Sequence, residues 1–237
     1  MNSKGKLYLI PTTLGDNEPL DVLPALVKKV IENTNTYIVE NEKTARRFIK
    51  RICPEKSQPS LKLFLLNKFT EAIELPNYLN PCLNGINIGL LSEAGCPGVA
   101  DPGADVVKIA HDKNIKVVPL VGPSSILMAI MSSGMNGQSF AFNGYLPIDK
   151  GERKSEIKRL ERLSFEHNQS QIFIETPYRN NKMIEDLSSI LENNTNVCVA
   201  CDITLSTEFI KTQSANAWKK NKVDLHKRPT IFIIHKN

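Results

Sequence analysis

Short apolar runs alternate with amphipathic stretches along the first half of the chain. KLYLIPT (6–12), TYIVE (36–40), LKLFLL (61–66), INIGLL (86–91) and IKVVPL (115–120) are apolar or alternating over the length of a strand, and predict five β-strands. Between them, apolar positions recur at helical spacing and predict helices over 20–32, 43–51 and 104–113; in the last, Val106, Val107, Ile109 and Ala110 share the spacing. Strands that alternate with helices argue for a largely parallel sheet. After GPSS (122–125) comes a further helix, SILMAIMSSG. It leads into the strand-like runs SFAFNGYL, QIFIET, NVCVACDI, TEFIKT and RPTIFIIH, with helices over 152–168 and 180–193 among them. The last runs lie close together in sequence, which suggests antiparallel pairing. The expectation is an α/β protein of two α/β domains, 1–121 with a mostly parallel sheet and 122–237 with a mixed one.

Composition adds that the chain folds. It has 41% hydrophobic and 23% charged residues over 237 positions, enough for one large or two small globular domains. No apolar run approaches the roughly 20 residues that span a bilayer, and the first residues lead straight into a strand-like segment, so a cytoplasmic protein without membrane contact is expected. Cys53, Cys82, Cys96, Cys198 and Cys201 are odd in number and irregularly spaced, which is no disulfide framework. The pair in CVAC (198–201) sits in a predicted strand, where residues three apart point to opposite faces. Those thiols cannot share a metal, and no metal site is expected.

The net charge of +5 is concentrated in three basic runs. KGERKSEIKRLER (150–162) also carries Glu152, Glu156 and Glu161 and reads as a solvated helix face; KKNKVDLHKR (219–228) is the run nearest the end. KTARRFIKR (43–51) has five basic residues and no acid, and is the candidate for contact with a polyanion.

One loop exceeds what connection requires. LLSEAGCPGVADPG (90–103) follows a predicted parallel strand and leads into the helix at Ala104, the position at which open α/β sheets bind ligands. Gly95, Gly98 and Gly103 permit close backbone approach, while Pro97 and Pro102 stiffen the segment. The alternative is a tight turn, but a two-residue turn would suffice for that. Neither G-x-G-x-x-G after the first strand nor a P-loop sequence is present. The VGPSS corner (121–125) is a second strand-to-helix turn, in which Ser124 or Ser125 can cap the helix or meet a small molecule.

Four segments in order and spacing, SEAGCPGVADPG (92–103), PLVGPSS (119–125), FNGYLPIDKGERK (142–154) and ETPYR (175–179), resemble the tetrapyrrole methylase family of S-adenosylmethionine-dependent methyltransferases. Within it they are most similar to the branch that methylates a cytidine ribose 2′-hydroxyl of small-subunit ribosomal RNA. The resemblance implies a homodimer of two-domain subunits with S-adenosylmethionine in a cleft between the domains. It places the cofactor at Leu14, at Gly95, Cys96 and Val99 of the glycine loop, and at Ser124 and Ser125. It adds Glu175 and Thr176, and the strand end at Ala200, Cys201 and Asp202. Transfer to a ribose hydroxyl is helped by a group that accepts its proton. Glu40, Glu42, Glu93, Asp101 and Glu175 fall at strand ends or in these loops; Glu40, Glu93 and Asp101, with Arg179 as an anion-binding fork, are the catalytic candidates, while for each carboxylate taken singly a helix cap or surface ion pair is the commoner role.

The chain departs from that branch in places. Glu40-Asn41-Glu42-Lys43 stands where E-D-T-R is usual, IPTTLGD where the first loop is A-T-P-[IL]-G-N, and Glu93 at the acid of S-D-A-G. The sequence also ends soon after its last apolar run, where longer relatives continue. Three functions follow as expectations: RNA ribose methylation, methylation of a tetrapyrrole or other small molecule, and S-adenosylmethionine binding without turnover.

Overall fold

The computed structural model describes residues 3–237. The chain divides into two compact units, one ending at Ser124 and the other spanning Ser125–Asn237.

In the first unit the five predicted strands form as β1 (Lys6–Ile10), β2 (Thr36–Val39), β3 (Lys62–Leu65), β4 (Ile88–Leu91) and β5 (Lys116–Pro119), all parallel, in the order β3-β2-β4-β1-β5. Alternation along the strands divides the core in two. Ile10, Tyr37, Val39 and Leu91 face one layer of helices, and Leu7, Ile38, Ile88 and Leu90 face the other. On the first face lie α2 (Ala25–Glu32) and α3 (Glu42–Ile52), through Val27, Ile31, Ala45 and Ile49. On the second lie α4 (Leu75–Tyr78), α5 (Asn80–Leu83) and α6 (Ala104–Asp112). The chain therefore leaves β1 toward one face and β4 toward the other, although these strands are neighbours. Their carboxyl ends are a switch point, where the diverging loops leave room for a ligand.

The helix expected over 20–32 is two helices, α1 (Pro19–Val22) and α2. Pro24 disfavours a helical conformation at the residue before it, and Leu23 is extended at φ −113° and ψ 136°. The short helices α4 and α5, unassigned from sequence, each carry a proline in their first turn, where its missing N–H costs nothing.

The second unit opens with α7 (Ser125–Ser133) and β6 (Phe140–Tyr145), followed by α8 (Lys150–His167), β7 (Ser170–Ile174), α9 (Asn180–Ile190), β8 (Asn196–Cys201), β9 (Phe209–Ser214), α10 (Ala215–Lys220) and β10 (Thr230–His235). The sheet order is β6-β7-β10-β8-β9, with only β6 and β7 parallel. The antiparallel expectation for the last runs holds for β8 with β9 and for β8 with β10, but β10 does not follow β9 in the sheet. It inserts between β7 and β8 because TIFIIH is buried at every position and has to be covered on both faces. Ile157 and Leu160 of α8, Met183 and Leu187 of α9 and Trp218 of α10 cover one face over Phe173, Val199 and Phe232. Cys201 belongs to that core cluster and Cys198 does not, the opposite-face arrangement expected for CVAC.

Among the described residues no helix is long and apolar enough to cross a membrane, and no cluster of potential ligands could hold a metal.

Candidate active site at the switch point

In the first unit, three loops meet beyond the carboxyl ends of β1, β4 and β5 and are bonded to one another. The Thr12 amide donates to the Gly95 carbonyl at 3.0 Å, the Ser92 hydroxyl donates to the same oxygen at 2.7 Å, and the Cys96 thiol lies 3.4 Å from the Pro123 carbonyl. Burial pushes the Cys96 thiol above its usual pKa, so it acts here as a neutral donor. Asp101 folds the rest of the loop, its Oδ1 accepting from the Gly103 amide at 3.0 Å and the Gly98 amide at 3.4 Å.

The loop glycines serve different ends. A side chain at Gly95, whose φ is +73°, would stand 3.1 Å from the Leu14 Cδ2 and 3.2 Å from the Pro123 oxygen, so this residue lets loops pack together. Gly98, at φ +78°, has nothing within 4 Å of where a Cβ would be, so the space on that side of the loop is open.

Three of the four catalytic candidates lie in this unit and come together. Glu40, at the end of β2, lies beside the Asp101 carboxyl and the Glu93 amide. Partial burial, then the Asp101 carboxyl, push the Glu40 pKa up to about 7. Glu93 in turn accepts the Thr44 hydroxyl at 2.7 Å. Beside this acidic group is a cavity of about 320 Å³ walled by Thr13, Leu14, Thr44, Arg47, Phe48 and Glu93, among others. Val99 is half exposed on the glycine loop.

In the second unit β7 and β8 both run antiparallel to β10, so their carboxyl ends share one edge. At the end of β7 the buried Glu175 carboxylate accepts from the Thr176 amide and from the Arg179 Nη2, both at 2.6 Å. Arg179 is therefore committed to the turn at one nitrogen, while its buried Nε has no partner. At the end of β8, Ala200 and Cys201 are wholly buried, so their side chains face the interior. Asp202 binds the Arg228 Nε at 2.7 Å and the Thr207 hydroxyl at 2.9 Å. Ser125 is the first residue of α7.

No family model matches this chain. Among curated proteins, ribosomal RNA small subunit methyltransferase I of Bacillus subtilis (strain 168) is 31% identical over 215 residues, 87% of this chain and 67% of that protein. The protein of that name from Buchnera aphidicola (subspecies Schizaphis graminum) is 29% identical over 99% of this chain and 79% of its own length. The chain belongs to the ribosomal RNA small subunit methyltransferase I family. Its fold is that of the tetrapyrrole methylases. The methyltransferase CobJ superposes with a TM-score of 0.64 at 13% identity, covering 98% of this chain and 94% of that one. Uroporphyrin-III C-methyltransferase of Thermus thermophilus, solved in complex with S-adenosyl homocysteine, gives 0.57 at 13% identity over 98% of each chain.

Asn41 is one of the residues at which this chain departs from E-D-T-R. Its Oδ1 accepts from the Lys43 and Thr44 amides and caps α3. The sequence reading missed Thr12, Ser92 and Thr44, which tie the loops and orient Glu93. Their one visible signal is that they flank predicted strand ends, as many threonines and serines do. It also missed how the basic run is spent. The run is free of acids, but α3 begins one residue earlier, at Glu42, which binds Arg46 at 2.8 Å. Arg51 is held by Asp16 at 2.5 Å.

Proposed function

We propose that this protein transfers a methyl group from S-adenosylmethionine to a ribose 2′-hydroxyl of small-subunit ribosomal RNA. The observation that carries the chemistry is the gathering of Glu40, Glu93 and Asp101 beside the glycine loop at the sheet's switch point, where partial burial and Asp101 push the Glu40 pKa up to about 7. The residues present suit the cofactor: the loop leaves open space at Gly98, and the carboxyl groups of Glu40, Glu93 and Asp101 complement a cationic group. In the first unit Leu14, the loop from Gly95 to Val99, and Ser124 would hold it. Ser125, Glu175, Thr176 and the strand end from Ala200 to Asp202 are assigned to it on family resemblance. When bound, S-adenosylmethionine supplies a methyl group made electrophilic by a positively charged sulfur.

The chain's own residues have two tasks. Glu40 accepts the hydroxyl proton as the ribose oxygen becomes a nucleophile, and a pKa near 7 makes it a competent base at neutral pH without holding it fully ionised beforehand. The neighbouring Glu93 amide favours the ionised form of that carboxyl, and the Asp101 carboxylate opposes it. Arg179, whose Nε lacks a partner, is proposed to bind an anionic group of cofactor or RNA. The proposal includes a homodimer, supported by the resemblance, and a cytoplasmic site of action, in keeping with a ribosomal RNA acceptor.

The test is transfer of label from radioactive S-adenosylmethionine to small ribosomal subunits taken from cells lacking this enzyme. Label in a 2′-O-methyl nucleoside after digestion is the expected result. Label confined to small molecules, or none, would overturn the proposal.

A further inference from the structure

The cavity beside the acidic group has two unlike walls. One is the face of α3 that carries Thr44, Arg47, the half-buried ring of Phe48 and Arg51; the other is formed by the loops after β1 and β4, with Thr12 to Asp16, Ser92 and Glu93. Most of the charge on α3 is already neutralised or tethered. Arg46 binds Glu42 and the Gln58 carbonyl, Lys50 reaches the Pro54 carbonyl, and Arg51 binds Asp16 and the Asn17 carbonyl. Arg47 has no hydrogen bond or ion pair among the described residues, yet it is exposed and lines the cavity. An unpaired guanidinium at the mouth of a polar cavity is suited to a phosphate or carboxylate.

A ligand that fits offers an anion to Arg47 and a hydrogen-bond donor, such as a ribose hydroxyl, to the Glu93 carboxylate. A cationic sulfur is disfavoured on the Arg47 side by like charge. At about 320 Å³ the cavity is at the small end of ligand sites, the scale of one nucleotide rather than of a macrocycle. A ribonucleotide within a chain has the required layout, with a phosphodiester next to a ribose hydroxyl and a base that can lie on an aromatic ring.

We propose that this cavity is the subsite for the acceptor nucleotide, with the phosphodiester adjoining the acceptor ribose on Arg47 and the ribose toward Glu93. The inference rests on the RNA-methylation reading above and adds which residues receive the RNA. Arg47 is then a specificity-determining contact made by α3, and Arg46, one residue away, is not.

The experiment uses the full-length protein, unmodified small ribosomal subunits as acceptor, and S-adenosylhomocysteine as a cofactor-site probe. Arg47→Ala should raise the KM for subunits at least tenfold and reduce the slope of log affinity against log salt by about 0.7, the loss of one single-strand phosphate contact. Calorimetric affinity for S-adenosylhomocysteine and the melting temperature should not move. Arg47→Lys should recover part of the salt slope, since it keeps the charge. Arg46→Ala should match the wild type in KM and slope. Unchanged KM and slope in Arg47→Ala, with an active wild type, would overturn the subsite. So would lost S-adenosylhomocysteine affinity with RNA binding intact, which would give the cavity to the cofactor's carboxylate. A wild type that methylates no RNA fails the functional reading itself, and this inference with it.

Discussion

A carboxyl group with a pKa near 7 has consequences for both rate and stability, and at Glu40 the two have opposite signs. As a base it acts when ionised, so kcat/KM should rise with pH through about 7 and then level off. For stability, the folded protein holds this proton more tightly than the unfolded chain, whose carboxyl titrates near 4.5. The folded state's advantage is complete below that value and declines as pH rises through 7. Glu40→Gln should thus abolish the rise in rate, lower kcat at least a hundredfold, and melt higher than the wild type at pH 8 but not at pH 4. Rate profiles and thermal melts at the two pH values check this; an active Glu40→Gln enzyme with an unaltered profile would remove Glu40 as base. Sequence placed Glu40, Glu93 and Asp101 at strand ends and could not rank them. Their close approach, which singles out Glu40, depends on β2 and β4 being neighbours in the sheet.

At the scale of elements, α3 joins the two parts of the site. It begins two residues after Glu40 and carries Thr44 and Arg47 on successive turns. Its start depends on the Asn41 cap. Asn41→Ala should cost about 1 kcal/mol of stability and lower methyl transfer, because Thr44 and Glu93 lose a fixed helix end. Asn41→Asp, with the same acceptor geometry, should behave as the wild type. Denaturation followed by circular dichroism gives the first quantity, and equal stabilities for Asn41→Ala and wild type would show the cap to be idle. The helix itself was legible, since apolar residues at 45, 49 and 52 lie on one face. So were all ten strands, because each run is short, apolar and bounded by turn residues. The break at Pro24 was present in the sequence as well, and the helical periodicity across it concealed a local steric rule.

For the molecule as a whole, each unit has its own core, and the second also encloses an ion pair. Arg153 of α8 binds Asp186 of α9 at 2.7 Å, with the two side chains 10% and 7% exposed. Asp186→Ala would leave a buried guanidinium without its counter-charge, at a cost of about 3 kcal/mol or more. Urea unfolding followed through Trp218, the only tryptophan and a member of the same core, should show the midpoint fall accordingly; an unchanged midpoint would mean that the Pro147 and Ile148 carbonyls suffice for Arg153. By itself the sequence determined the α/β class, the order of elements and the loops that carry chemistry. These follow from hydrophobic period and from glycine and proline, which act over a few residues. The tertiary structure decided that β10 lies between β7 and β8, that Gly95 packs loops while Gly98 faces open space, and that Arg47 rather than Arg46 is available. It also decided that Glu40 shares its proton environment with Asp101. Each of these rests on pairings between residues distant in the chain. Sheet order and the local dielectric set them, and no window of sequence contains either.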